Sequence, residues 1–178
     1  MSAAKLPLTG KERAFPETEF IVSKTDRKGI ITYGNDVFVN ISGYAEAELM
    51  GAPHNIVRHP GMPRCVFKLL WDTIEAGREI FAYVLNRAKT GDHYWVNAHV
   101  TPWFDPSGRI AGYHSNRRVV NRTVLAKVIE PTYAKLLEEE GRHASPKDGM
   151  AAATALLVAE IGRAGFAGYD EFFHSLGR

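Results

Sequence analysis

The 178-residue sequence predicts an α+β fold: a five-stranded antiparallel sheet with helices on one face, followed by further helices at the C-terminus. Three observations predict it. Two short β-rich runs stand near the front, a helical stretch fills the middle, and three longer β-rich runs follow, joined by tight turn sequences. Consecutive strands joined by short turns pair antiparallel, and helices bunched between them pack on one face, with a ligand-sized pocket between the layers.

The first runs, Phe20-Ile21-Val22-Ser23 and Ile30-Ile31-Thr32-Tyr33, flank Asp26-Arg27-Lys28-Gly29, where the glycine supplies a positive φ and closes a hairpin. Asn35 or Asp36 then caps a helix carrying Val37, Phe38 and Ile41, which breaks at Gly43, and a further turn over residues 46–50 closes at Gly51. Residues 65–74 place Val66, Leu70 and Ile74 on one helical face with Phe67 and Trp71 beside them, and Gly77 ends the helix. The three strands cover residues 80–86, 94–103 and 110–119, linked across Lys89-Thr90-Gly91-Asp92 and Asp105-Pro106-Ser107-Gly108. Beyond residue 120, Val124, Val128 and Ile129 begin a helix that Pro131 kinks or restarts, and Tyr133, Leu136 and Leu137 continue it. A polar linker over residues 141–149 leads to an Ala-rich helix with Leu156, Leu157 and Ile161 on a stripe, then to Tyr169, Phe172 and Phe173. These apolar faces either cover the sheet or dock on another chain.

With 45 % hydrophobic residues the chain has ample material for a core. Its net charge of +2 gives no general attraction to nucleic acid or an anionic membrane, so no nucleic-acid partner is expected. Cys65 is the only cysteine, and no uncharged apolar run approaches the ~20 residues that span a bilayer. The expectation is a soluble cytoplasmic protein, without direct membrane insertion, reaching the membrane only through a partner.

The segment richest in chemistry is His54-Asn55-Ile56-Val57-Arg58-His59-Pro60-Gly61-Met62-Pro63, which crowds two imidazoles and a guanidinium between prolines. Such a cationic cluster on stiff backbone points to an anionic or metal-bearing ligand. Together with Asn35-Asp36-Val37-Phe38, Ser42-Gly43-Tyr44, Asn86-Arg87 and Gly91-Asp92-His93-Tyr94-Trp95-Val96, it resembles a PAS domain of the aerotaxis-receptor type over roughly residues 17–121. The whole chain is similar to the stand-alone PAS half of split energy-taxis receptors. On that resemblance, residues 1–16 are an N-terminal extension, 17–121 the sensor domain, 122–140 a connecting helix, 141–149 a linker and 150–178 a C-terminal helical segment.

The resemblance implies a redox or oxygen sensor that binds FAD non-covalently, forms a homodimer and signals by contact with a membrane chemoreceptor or other signalling protein. It implies flavin-binding roles for Arg58 and His59. The chain departs from the family at Gly61, where an acid is common, and at Ile80 with Phe81, where a tryptophan is common. A flat, mostly apolar isoalloxazine needs aromatic walls and polar rims: Trp71, Phe81, Tyr94 and Trp95 can supply walls, Asn35, Asn86 and Asn97 can supply edges, and the planar fork of Arg58 matches phosphate oxygens. Each has a plainer reading. Asn35 serves equally as a helix cap and Trp71 as core, while Tyr94 and Trp95 point to opposite faces of a strand, so at most one faces the pocket. PAS-like pockets also hold haem, for which His54, His59, His93, His99 and His114 offer axial ligands, though no Cys-x-x-Cys-His motif occurs. A third reading is a ligand-free dimerisation and interaction module. Cys65 lies outside the Asn-Cys-Arg context of flavin photoadduct domains, which disfavours a blue-light sensor. Enzymatic activity is not expected, because Ser23, Ser42 and Ser115 lie in no nucleophile elbow and no His-Glu-x-x-His site occurs.

Overall fold

Strands β1 (Ile21–Asp26) and β2 (Ile31–Gly34) form the expected hairpin, turning at Gly29 with φ 76°. Asp26 fixes the turn by accepting the Lys28 and Ile30 amides at 2.8 and 2.9 Å. The structure is a computed structural model, and it describes residues 7–177.

Asn35 caps α1 (Asp36–Ser42) and does more than cap. Its Oδ1 accepts both the Phe38 and Val22 amides at 3.0 Å, and its Nδ2 donates to the Phe20 carbonyl at 2.7 Å. One side chain thus ties the helix start to β1. A short α2 (Glu46–Leu49) and a 3₁₀ turn at His54–Val57 lead to α3 (Arg64–Glu75). Pro63 precedes α3 and offers no side-chain cap; the first turn is instead satisfied from a distance, with Glu140 Oε1 accepting the Cys65 amide at 2.9 Å.

Strands β3 (Ile80–Arg87), β4 (His93–Phe104) and β5 (Ile110–Arg118) complete an antiparallel sheet in the order β2-β1-β5-β4-β3. The register sets Ser23 opposite Ser115, Val100 opposite Ser115 and Asn86 opposite Tyr94. Strand alternation then divides the sheet: odd-numbered residues of β1 and β5 and even-numbered residues of β3 and β4 face the middle helices. That inner face carries Ser23, Thr25, Val84, Asn86, Ala98, Val100, Tyr113, Ser115 and Arg117.

The C-terminal helices take the outer face. α4 (Arg122–Val124) widens into a π-helical segment at Leu125–Ile129, where the Glu130 amide reaches back to the Leu125 carbonyl, and continues as α5 (Glu130–Gly141). Pro131 explains the wide turn: it has no N–H to donate and its ring collides with the carbonyl four residues back in a regular α-helix. Tyr133 packs against Trp95 and donates its hydroxyl to the Tyr83 carbonyl at 2.7 Å. α6 (Pro146–Arg163) begins four residues earlier than the expected linker allows, because Ser145 accepts the Asp148 amide and Pro146 fits the first helical turn. Its Ala153, Leu157 and Ile161 are buried, and it packs on α5 and α3. α7 (Tyr169–Ser175) sets Phe173 beside Phe81 and Tyr83, with the Tyr169 hydroxyl donating to the Phe81 carbonyl at 2.9 Å. The faces of α5 and α7 cover the sheet, and that of α6 packs on α5 and α3. No helix among the described residues is long and apolar enough to cross a membrane.

Asn35→Ala removes a cap and two bridging hydrogen bonds, so it should lower the unfolding free energy by about 2–3 kcal/mol. Asp36→Ala, which removes only a charge near the helix start, should cost a few tenths. Urea unfolding followed by circular dichroism measures both.

Candidate cofactor pocket

A cavity of about 1040 Å³ lies between the inner face of the sheet and helix α3. Phe67, Leu70, Trp71 and Ile74 of α3 form one wall and Val84, Ala98, Val100 and Tyr113 of the sheet the other. Trp71 stands edge-on to Tyr113, ring centroids 5.4 Å apart, and passes over Gly29, where an added Cβ would lie 2.9 Å from its ring. The far side is closed by the α5–α6 junction through Leu137, Glu140, His143, Pro146 and Met150. A long cavity with apolar walls and a few convergent polar groups suits an extended cofactor with an aromatic head.

The polar groups collect on the floor. Arg117 is 4 % exposed and donates Nη2 to Ser23 Oγ and to His54 Nε2, both at 2.7 Å. Burial lowers the guanidinium to about 10, so it is charged at neutral pH. His54 is pushed down to about 3, first by burial and then by the Arg117 charge, so its ring is neutral and Nε2 is the acceptor. Arg117 Nη1 and Ser115 Oγ are buried with no hydrogen-bond partner. Nearby Tyr94 Oη is likewise unpartnered; burial raises its phenol, with the Arg117 charge opposing.

Beside the cavity, Asn55, Arg58, Pro60 and Arg87 line a cleft of about 350 Å³. Burial and the neighbouring Arg64 both lower the Arg58 guanidinium, which sits 4.3 Å above the Phe67 ring. His59 is lowered by burial and by the charges of His93 and Arg87. Arg87 is 7 % exposed and its Nε has no partner. Among the described residues lining the cavity, Glu140 is the only acid, set against Lys28, Arg58, Arg64, Lys68 and Arg117. Arg58, Arg64, Arg87 and Arg117 enter none of the salt bridges among the described residues. Buried Arg87 and Arg117 and half-buried Arg58, without ion-pair partners among the described residues, favour an anionic occupant.

Of the residues singled out in the sequence, Arg58, Trp71 and Asn86 line the cavity. His59 lies beside it, its Nδ1 accepting the Gly61 amide at 2.9 Å and its ring edge-on to His93. Gly61 permits that fold: a Cβ there would lie 3.0 Å from His59 Nδ1. Tyr94 faces inward beneath the floor, whereas Trp95, on the opposite side of the strand, packs on Tyr133. Phe81 and Asn97 lie on the outer face, with Phe81 stacked on His99 at 4.1 Å, and Asn35 is committed to α1 and β1. Cys65 is buried with its thiol pushed up to about 12, chiefly by desolvation, and is chemically quiet. The sequence reading missed Arg117, Arg87, Ser115 and Ser23. The signal for the β5 residues was a polar run, His114 to Arg118, on a strand that is central in the sheet.

A family model described as PAS fold matches residues 31–117. The aerotaxis receptor of Escherichia coli (strain K12) is 44 % identical over 117 residues, which is 65 % of this chain and 22 % of that receptor. The chain contains a PAS domain of the aerotaxis-receptor type. A nitrogen fixation regulatory protein of Klebsiella pneumoniae is 27 % identical over 100 residues, 56 % of this chain and 20 % of that protein. The chain thus spans about a fifth of the length of these curated relatives. Among solved structures, a light-oxygen-voltage domain studied with a flavin analogue superposes with TM-score 0.54 at 21 % identity, covering 70 % of this chain and 87 % of that one. The dark state of the blue-light photoreceptor aureochrome1 domain gives 0.54 at 21 %, covering 65 % and 85 %. These two share the PAS fold with this chain.

The neutral His54 makes the PAS domain acid-sensitive. Its folded value of about 3 lies below the ordinary 6.5, so the unfolded chain binds the extra proton between those values. Stability is complete above pH 6.5 and falls on acidification toward pH 3, with a limiting slope of about 1.4 kcal/mol per pH unit. His54→Asn should flatten the dependence of the urea midpoint between pH 6.5 and 4; an unchanged slope would assign the acid sensitivity elsewhere.

Proposed function

We propose that this PAS domain is a redox or oxygen sensor that holds FAD non-covalently and reports its state through protein contact, with a chemoreceptor or other signalling protein as partner. The observation that carries the reading is the charge pattern of the pocket: apolar aromatic walls, an arginine-rich cleft beside them, and one acid against five lysines and arginines. FAD matches both parts, being a flat ring system joined to a diphosphate.

The residues fit the group. Phe67, Trp71 and Tyr113 would flank the ring, Asn86, Ser115 and Arg117 would meet its polar edge, and Arg58 with Arg87 would hold the diphosphate, for which paired planar guanidinium forks are well shaped. When bound, the flavin would supply reversible electron uptake, and the protein would supply orientation and electrostatics. The likeness to an aerotaxis receptor supports a taxis setting, and the likeness in fold to a domain studied with a flavin analogue is in keeping with the cofactor. Haem has less support. Of the candidate axial ligands only His54 lines the cavity, and its Nε2 is engaged by Arg117.

Protein purified from its own cytoplasm should show paired blue and near-ultraviolet absorption bands that bleach with dithionite; a single intense Soret band would replace flavin with haem. Arg58→Ala and Arg87→Ala should each weaken FAD binding by about tenfold or more, the loss of one charge-assisted contact, with the circular dichroism spectrum unchanged. Equal affinity in both variants would remove the diphosphate assignment.

A further inference from the structure

We infer that Arg117 is the anchoring and tuning residue of the pocket: its free Nη1 receives an acceptor edge of the occupant and binds that occupant more tightly when it carries more negative charge. The inference rests on the flavin reading, which it deepens, since reduction adds negative charge to the ring.

The geometry leaves Arg117 with a charge and no counter-charge. Its two partners, Ser23 Oγ and His54 Nε2, are both uncharged, and the Glu140 carboxylate accepts the Cys65 amide at the start of α3. Its remaining contact is the face of Phe38, 5.3 Å away. Nη1 is buried without a partner, and Ser115 Oγ, two residues along the same strand face and opposite Ser23, is orphaned too. A dehydrated guanidinium with a dangling donor is unfavourable in a folded protein unless something completes it. Arg117 and Ser115 both line the cavity, so a ligand oxygen or nitrogen seated there comes next to the residues that carry these unpartnered groups. The Ser23 and His54 contacts have a definite role here: they occupy Nη2 and hold the fork, leaving Nη1 as the uncommitted donor. Arg58 lines the adjoining cleft as well as the cavity.

A residue kept for a ligand and a residue kept for the fold behave oppositely when replaced. Arg117→Met removes an uncompensated buried charge, so the empty variant should melt at a higher temperature than the empty wild type, while FAD affinity falls by about tenfold or more. The ratio of affinities for dithionite-reduced and oxidised FAD should fall with it, read independently as a lower midpoint potential. Arg117→Lys keeps the charge without the fork and should retain most of that ratio. An empty Arg117→Met protein that melts lower or does not fold, or an affinity ratio equal to wild type, would make Arg117 a structural bridge and overturn the inference; so would an equal loss of the ratio in the lysine variant. A wild type that takes up no FAD, together with a stabilised empty Arg117→Met variant, would discard flavin yet keep the buried acceptor site.

Discussion

The pairing of β1 with β5 is the constraint from which the rest of the structure follows. It brings together segments from the two ends of the PAS domain, Ile21 opposite Arg117 and Asp26 opposite Gly112, and everything between them must be accommodated by one excursion. β1 is already paired with β2 on its other edge, so the chain leaving β2 has to cross the sheet and return at β3. The helices α1 to α3 make that crossing, and the space they cannot fill against the sheet is the cavity. The same pairing sets Ser23 beside Ser115 and lets Arg117 reach across to both β1 and the 3₁₀ turn. Gly112 is what permits the close approach at the far end, where a Cβ would lie 2.1 Å from the Thr25 carbonyl oxygen.

Strand parity then gives the two faces different work. Inward residues mix apolar with polar groups, Ser23, Thr25, Asn86, Ser115 and Arg117 among them, whereas outward residues of β3 and β4 include the bulky apolar Phe81, Tyr83, Leu85 and Trp95. A bulky apolar outer face exposed to water would be unfavourable, and the C-terminal helices remove it through Tyr133, Tyr169 and Phe173. The Tyr133 and Tyr169 hydroxyls donate to strand carbonyls on the edge strand β3, so the packing is directed as well as apolar.

Much of this was legible in the sequence, because hairpin turns, glycine stops and helical spacing are local signals. Gly29, Gly43, Gly51, Gly77, Gly91 and Gly108 all take positive φ, and the strands lie within a residue or two of the expected spans, except that β1 runs three residues further, to Asp26. The pocket was legible only in part. Tyr94 and Trp95 had to face opposite ways, but which one faced the helices depended on the register of the whole sheet. Phe81, Trp95 and Asn97 have the residue types of a flavin site and the wrong parity for the cavity. Arg117 has the converse problem. In the run His114-Ser115-Asn116-Arg117-Arg118 both faces are polar, so alternation gives no hint of which is buried. What exposes it is topology: a strand flanked on both edges by other strands, yet polar on both faces, marks a buried polar site.

The helices beyond the PAS core enter the pocket as well as the outer face, and this makes them more than a cover. Glu140 is the one acid lining the cavity, it lies where its charge acts on Arg58, and it holds the start of α3 through the Cys65 amide. Among the described residues lining the cavity, Glu140 is the only carboxylate set against its arginines. An anionic ligand supplies a second negative charge, and the two compete for the same field. Occupancy would then weaken the electrostatic hold on the end of α5, whose packing on Tyr83 and Trp95 lies on the other face of the sheet. A ligand can bias a conformational equilibrium only through differential contacts with its two states. The α5–α6 junction, with Leu137, Glu140 and Met150 facing the cavity and the opposite sides of both helices facing outward, is the part of the fold where those contacts and an outward surface coincide.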